Sequence, residues 1–210
     1  MRALVASVLV LACGPPAPAI DAVSSSNLLQ PLVDAAPEGS VLTVPDGVWA
    51  GPVVISKRLT VQGSGETVVT GNGRGTVVTV TAPDVVLRSL RITGSGASHD
   101  AMDAAVLVEA DDVRVERCTL DDVLFGVFVK AAKHGLVFGN VITSKAEDHS
   151  LRGDGVRVWN GSGNRVFGND VVNARDVTLA NCRDNSISHN RIRGGRYGLQ
   201  SMCCGGGLGE

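Results

Sequence analysis

Aromatic side chains are scarce in this chain: four Phe, two Trp and one Tyr among 210 residues. A protein that grips sugars through stacked rings uses more of them, so the composition weighs against a broad carbohydrate surface. An excess of one charge is missing too. Nineteen Lys and Arg against 21 Asp and Glu give a formal net charge of −2, which recruits neither nucleic acid nor anionic lipid. Long apolar runs are also lacking. The stretch from Ala3 to Ala12 is too short to span a bilayer, and no later segment is apolar enough to do so. The five cysteines contain no C-x-x-C pair.

What is present is a repeat. Cys118, Asn140, Asn169 and Asn190 occupy one column of the runs VRVERCTL, LVFGNVI, RVFGNDV and SISHNRI, at steps of 22, 29 and 21 residues. A second column, Gly126, Gly155, Asp176 and Gly198, follows at steps of 29, 21 and 22. Both columns absorb the same seven extra residues between Asn140 and Gly155, so each repeat is one structural unit. Within a repeat the apolar residues alternate: Val113 and Val115 around Arg114, Val127 and Val129 around Phe128, Val156 and Val158 around Arg157. Period-two alternation of Val and Ile makes strands, and a helical stripe is absent. A leucine-rich repeat would need a Leu spacing and helical segments that the chain does not have. The pattern therefore predicts an all-β fold, a right-handed parallel β-helix. It is a solenoid of about 22-residue coils, each strand pairing with its equivalent about 4.8 Å away. Stacked Asn amides are expected to bond to one another along the first column.

The two ends read differently. Residues 1–19 fit a secretory signal peptide: one Arg, an apolar stretch, and an A-x-A site at Ala17-Pro18-Ala19. An alternative reading takes VLAC, ending at Cys13, as a lipobox, which would leave the exported protein tethered by lipid. From Ser24 to Ala36, Leu28, Leu29, Leu32 and Val33 form the apolar face of a short amphipathic helix, expected to cap the first coil. Pro45-Asp46-Gly47 supplies a turn. The β-helix domain is expected over 24–202 and an irregular tail over 203–210. By register Leu199 and Ser201 point inward, yet Ser201 is polar and MCCGGGLGE shows no strand pattern, so truncation or a frame change near Gln200 is the expectation. Cys118 and Cys182 fall in different coils and should not meet, and the adjacent Cys203 and Cys204 cannot form a relaxed disulfide with each other. Two readings of the cysteines stand: structural thiols plus an accidental tail, or a soft Cu(I) site at Met202-Cys203-Cys204.

Two loops are longer than the rest, Gly94 to Asp103 and Thr143 to Asp154. Both leave the same corner two coils apart, so their bases should lie roughly 10 Å from each other. His99, Asp100, Asp103, Asp148 and His149, with Met202, are the candidate metal ligands, copper being the candidate ion. A plain solvated edge explains the loop residues equally. Arg152, Asp154, Arg175, Asp176, Arg193, Arg196 and Tyr197 form a second set. They read either as a buried ionic ladder along one corner or as a protein-docking edge rich in Arg and Tyr. His134 and His189 lie in turns and read as structural or exposed. No catalytic residue is assigned.

The phrases GDGVRVWNGSGNRVFGNDVVNARDVTL and NSISHNRIRGGRYGLQSM, with the earlier TVPDGVWAGPVVISKRLTVQG, resemble the NosD type of periplasmic maturation protein for nitrous oxide reductase. The resemblance covers roughly Leu28 to Met202. It implies a periplasmic right-handed β-helix, often described as copper-binding, that assists assembly of the reductase's copper–sulfide centre. The implied partners are the reductase and the ATPase and permease of an ABC transporter. Two departures stand out. After RYGL this chain has Gln200, Ser201, Met202 and Cys203, and the family is about twice as long, so contacts made by its later coils are not carried over to this chain. A non-enzymatic accessory factor is thus the expectation. A carbohydrate-binding protein or polysaccharide lyase, epimerase or hydrolase on the same fold is the competitor, and a bare structural surface protein the third reading.

Overall fold

The alternating apolar residues stack rather than merely pack. In a computed structural model, which describes residues 28–145, 148 and 150–205, the chain winds through seven coils of three strands each. The coils begin at Val41, Thr60, Val86, Arg114, Leu136, Arg165 and Ser186. Equivalent strands pair in parallel, giving three seven-stranded sheets. The fold is the expected parallel β-helix, and parallel crossovers of L-residues favour its right-handed sense.

Register fixes what fills the interior. On the first sheet Leu42, Val61, Leu87, Val115, Val137, Val166 and Ile187 follow one another. On the second, Trp49, Val69, Ile92, Leu120, Ile142, Val171 and Ile192 do so. The third carries two such columns, one ending at Leu199 and the other running Ile55, Val80, Val108, Val129, Val158, Leu179, Ser201. Each buried Val, Leu or Ile contributes about 1.5–3 kcal/mol relative to exposure, so the axial stacks supply most of the stability. The seventh coil has nothing above it among the described residues, and Leu199 is 41% exposed.

Corners satisfy their polar backbone through side chains. Asn169 Oδ1 accepts from the Asn140 backbone N–H (3.0 Å) and from Asn140 Nδ2 (2.9 Å), while its own Nδ2 donates to the Val137 carbonyl and to Asn190 Oδ1. Asn140 Oδ1 in turn accepts from the Cys118 N–H, so the Asn column is a hydrogen-bonded ladder as its spacing predicted. A second ladder, not foreseen, lies at the corner between the third and first sheets. There Asn164 Oδ1 takes the Gly135 N–H, and Asn185 Oδ1 takes both the backbone N–H and Nδ2 of Asn164. Residues just before the first ladder, Ser89, Arg117, Gly139, Gly168 and His189, all sit at positive φ, which is how each coil makes its bend. Cys118 stands where the ladder stops. Burial pushes its thiol up to about 12, which leaves it inert.

Both ends differ from expectation. The helix is Gln30–Ala35, shorter than the segment read from sequence; Pro31 stands in its first turn, Leu29 is its N-cap, and Ser24 to Asn27 lie outside the described residues. Leu29 and Val33 are buried as predicted, but Leu28 is exposed and bridges to Ala50. The helix still covers the first coil. The Gln30 amide donates to the Val54 carbonyl and accepts the Val54 N–H, as a neighbouring strand would. At the other end Gly198–Met202 pairs along its full length with Asp176–Ala180, and Gly205 meets Arg183. Cys203 has φ 52°, matching Asn181 one coil before. Cys204 therefore lands beside Cys182, and the two form a disulfide across 22 residues. This corrects the reading of the cysteines as isolated thiols. Their separation is one coil, so stacking brings them together.

Removing one rung orphans several buried groups at once. Asn169→Ala is expected to lower unfolding free energy by about 3 kcal/mol, given about 1–3 kcal/mol per unsatisfied buried polar group. Asn190→Ala, at a half-buried rung, should cost clearly less. Paired denaturant titrations check the order, and equal losses would deny the ladder its role.

Candidate functional site

The corner carrying the long loops and the outer face of the third sheet hold most of the chemistry. Phe125–Lys130 is the central strand of that sheet, flanked by Ala104–Val108 and Val156–Trp159. Outward side chains form a second apolar cluster here: Phe125, Phe128, Leu124 and Ala104 are buried, with Met102, Leu107 and Trp159 packed against them. Phe128 stacks on Trp159 with centroids 6.3 Å apart and planes 11° from parallel. His99 meets Phe125 edge-on at 5.7 Å. Its Nε2 lies 2.8 Å from the Leu151 carbonyl, so the two long loops touch, closing over the coil between them.

Where the loops meet, two of the candidate metal ligands, Asp103 and Asp148, are bonded to their own loops. Asp103 is buried, and its Oδ2 accepts the Ser98 N–H. Asp148 Oδ1 accepts from the Ser150 N–H and hydroxyl. Asp100 is exposed on its turn, and Met202 is on the last coil, its sulfur accepting from the Gln200 amide. His149 lies outside the described residues, as do Glu147, Cys13 and the leader over 1–19. Among the described residues no three His, Cys, Asp or Glu side chains are grouped to hold a metal ion. The described donors do not by themselves make a copper site. The proposed Cu(I) trio fails for a further reason, since Cys204 is spent on Cys182.

Arginines and carboxylates do come together, farther along the same sheet. Asp176 is fully buried; its Oδ1 accepts the N–H groups of Tyr197 (2.6 Å) and Gly198 (3.0 Å), and its Oδ2 pairs with Arg196 at 3.2 Å. Arg196 also lies 4.3 Å over the exposed Tyr197 ring. Asp154, 4% exposed, pairs with Arg157 at 3.3 Å. Burial pushes the Asp154 carboxyl above its ordinary value, against the pull of Arg157, Thr178 and Arg175, with Asp176 adding to the rise. Arg193 stands apart from this ladder, bound to Asp170 at 2.8 Å. Arg152 sits half-buried in the long loop.

The sequence reading passed over the floor of this cluster. Arg157, Thr178 and Gln200 are register partners on successive strands and face outward. With Asp154, Arg175, Arg196 and Met202 they line a pocket of about 340 Å³. Two buried atoms there, Arg157 Nε and Thr178 Oγ1, have no hydrogen-bond partner among the described residues. The hydroxyl lies near enough to Asp154 to favour its charge but makes no aligned bond. A repeat of outward polar residues at the 21- and 22-residue steps was the available signal.

Fold and face together define a parallel β-helix with an arginine-rich recess on one sheet, and its relatives place it further. The family described as "Periplasmic copper-binding protein (NosD)" matches residues 138–207. A probable ABC transporter binding protein NosD of Stutzerimonas stutzeri is 31% identical over 136 residues, 63% of this chain and 31% of that protein. Its namesake in Pseudomonas aeruginosa is 29% identical over 133 residues, 62% of this chain and 31% of that one. Over these residues the chain is similar to NosD-type proteins, and it spans about a third of the length of these curated relatives. Solved structures agree on the fold alone. A pectin methylesterase bound to a hexasaccharide superposes with a TM-score of 0.58 at 16% identity, covering 84% of this chain and 67% of that one. ORF18 of Geobacillus virus E2 gives 0.62 at 11%, covering 82% and 43%.

Asp176 ties the last corner together, so Asp176→Ala should destabilise by about 3–5 kcal/mol, the cost of breaking a buried charged pair. Asp154 acts with the opposite sign. Its folded value is raised, so the native state holds the proton longer, and stability falls as pH rises from the ordinary carboxylate value through the raised one. Asp154→Asn should flatten that decline in melting temperature against pH, and an unchanged slope would show that another group causes it.

Proposed function

We propose that the chain is an exported, non-enzymatic accessory protein of the periplasm. It works with the ATPase and permease of an ABC transporter in assembling the copper–sulfide centre of nitrous oxide reductase. The observation that carries this reading is the NosD match over 138–207, which spans the last three coils and the arginine-rich corner. The names of the relatives, ABC transporter binding proteins, point to the same partners. No helix among the described residues is long and apolar enough to cross a membrane, so attachment to a transporter would use the surface of the coils. The corner offers one, because Arg196 stacked on an exposed Tyr197 combines two residue types favoured at interface hot spots. Copper in this reading is cargo or product of the assembly, not a group held by the loops of this chain.

A tagged full-length chain, expressed with the transporter genes of a denitrifying bacterium, tests the partnership. Permease and ATPase should co-purify from detergent-solubilised membranes. Tyr197→Ala, which leaves the Arg196–Asp176 pair in place, should reduce recovery at least tenfold while the circular dichroism spectrum stays that of the parent. A folded chain that recovers neither subunit would overturn the reading.

A further inference from the structure

The outer face of the third sheet changes character along the solenoid axis. Over the middle coils it is apolar and aromatic, and over the last coils it becomes the recess lined by arginine. Three of the seven aromatic residues, Phe125, Phe128 and Trp159, gather on this one face. Trp159 follows Arg157 by two residues on the same strand, so it stands on the same side about 7 Å away. One face of its half-exposed indole rests on Phe128.

The charges of the recess do not cancel. Arg157 is paired with Asp154 and Arg196 with Asp176. Arg175 also lines the pocket; it makes no close ion pair among the described residues, and Asp154 feels its charge only at longer range. One positive charge is left over, and the Thr178 hydroxyl, 2% exposed, lacks a hydrogen-bond partner at the same place. So does Arg157 Nε. A donor without an aligned bond on the floor and a guanidinium without a close carboxylate at the wall call for an acceptor carrying about one negative charge. A carboxylate meets that need, whereas a phosphate dianion brings more charge than the recess can balance. The indole beside it offers a ring something to lie against.

We propose that this recess binds a sugar acid. The carboxylate would accept from Arg175, Arg157 Nε and the Thr178 hydroxyl, the Gln200 amide would bond ring hydroxyls, and the ring would rest near Trp159. The recess shares Arg196 with the surface proposed above for the transporter, but its ligand is read from Arg175, Arg157 and Thr178.

Calorimetric titration of the full chain with glucuronate, glucose, inorganic phosphate and a glutamate-rich peptide tests it. Glucuronate should bind, glucose and phosphate at least tenfold more weakly. Arg175→Gln and Thr178→Val should each weaken glucuronate at least tenfold without moving the thermal midpoint. Arg193→Gln, whose residue pairs with Asp170 outside the recess, should leave binding unchanged. Failure of glucuronate to bind at tens of millimolar, or glucose binding as tightly, overturns the proposal. Tighter binding of the peptide or of phosphate overturns it too, assigning the recess to an acidic protein or to a phosphoryl group. If a variant shifts the thermal midpoint, chemical-shift changes at the Trp159 indole N–H of the parent decide, their absence under saturating glucuronate counting against the site.

Discussion

Everything here depends on neighbouring coils repeating in register. A parallel coil satisfies none of its strand hydrogen bonds by itself; every N–H and C=O of a strand looks to the coil above or below. The asparagine ladders extend the same dependence to the corners, where the sheet hydrogen bonds run out. Asn140, Asn169 and Asn190 each bond backbone groups of the coil before through their side chains, and so do Asn164 and Asn185, while side chain joins side chain from rung to rung. An inserted residue inside a strand would shift both a hydrophobic column and a rung. Inserted residues are therefore confined to loops, as with the long segments that meet through His99 and Leu151.

That confinement explains what was legible in the sequence. Period-two alternation and the Asn column gave the strands and their register, because each position is constrained by the coil on either side. The second ladder was missed since only Asn164 and Asn185 carry it, with Gly135 in the rung before. The disulfide was missed for a different reason. Cys203 and Cys204 were read as a tail, although Cys182 and Cys204 are one repeat apart. The loops were the least legible part. His99, Asp100 and Asp103 are close in sequence to one another, but proximity along a loop does not make donors converge. The structure turns Asp103 inward to a backbone N–H and leaves Asp100 in solvent. Outward residues such as Arg157 and Thr178 show no pattern along their own strands, because the meaning of an outward position comes from its register neighbour.

The composition also takes on a different sense. Few aromatics argued against a sugar surface, and over most of the molecule that holds. Scarcity did not mean dispersal. Phe125, Phe128 and Trp159 share one face, while Phe138, Phe167 and His189 stack on another, the last two with centroids 5.1 Å apart. In a solenoid, placing similar side chains one repeat apart is enough to build a continuous patch from few residues.

The covalent link between Cys182 and Cys204 gives the solenoid a direction. The first coil is held by the Gln30 amide, the Leu28 bridge and burial of Leu29 and Val33. All of these open reversibly. The seventh coil is tied to the sixth by a bond that persists in an oxidising compartment. Peeling under tension or heat would then start at the helix-covered end and advance coil by coil toward the arginine-rich corner. That corner, with its two buried carboxylates, becomes the last part of the molecule to come apart.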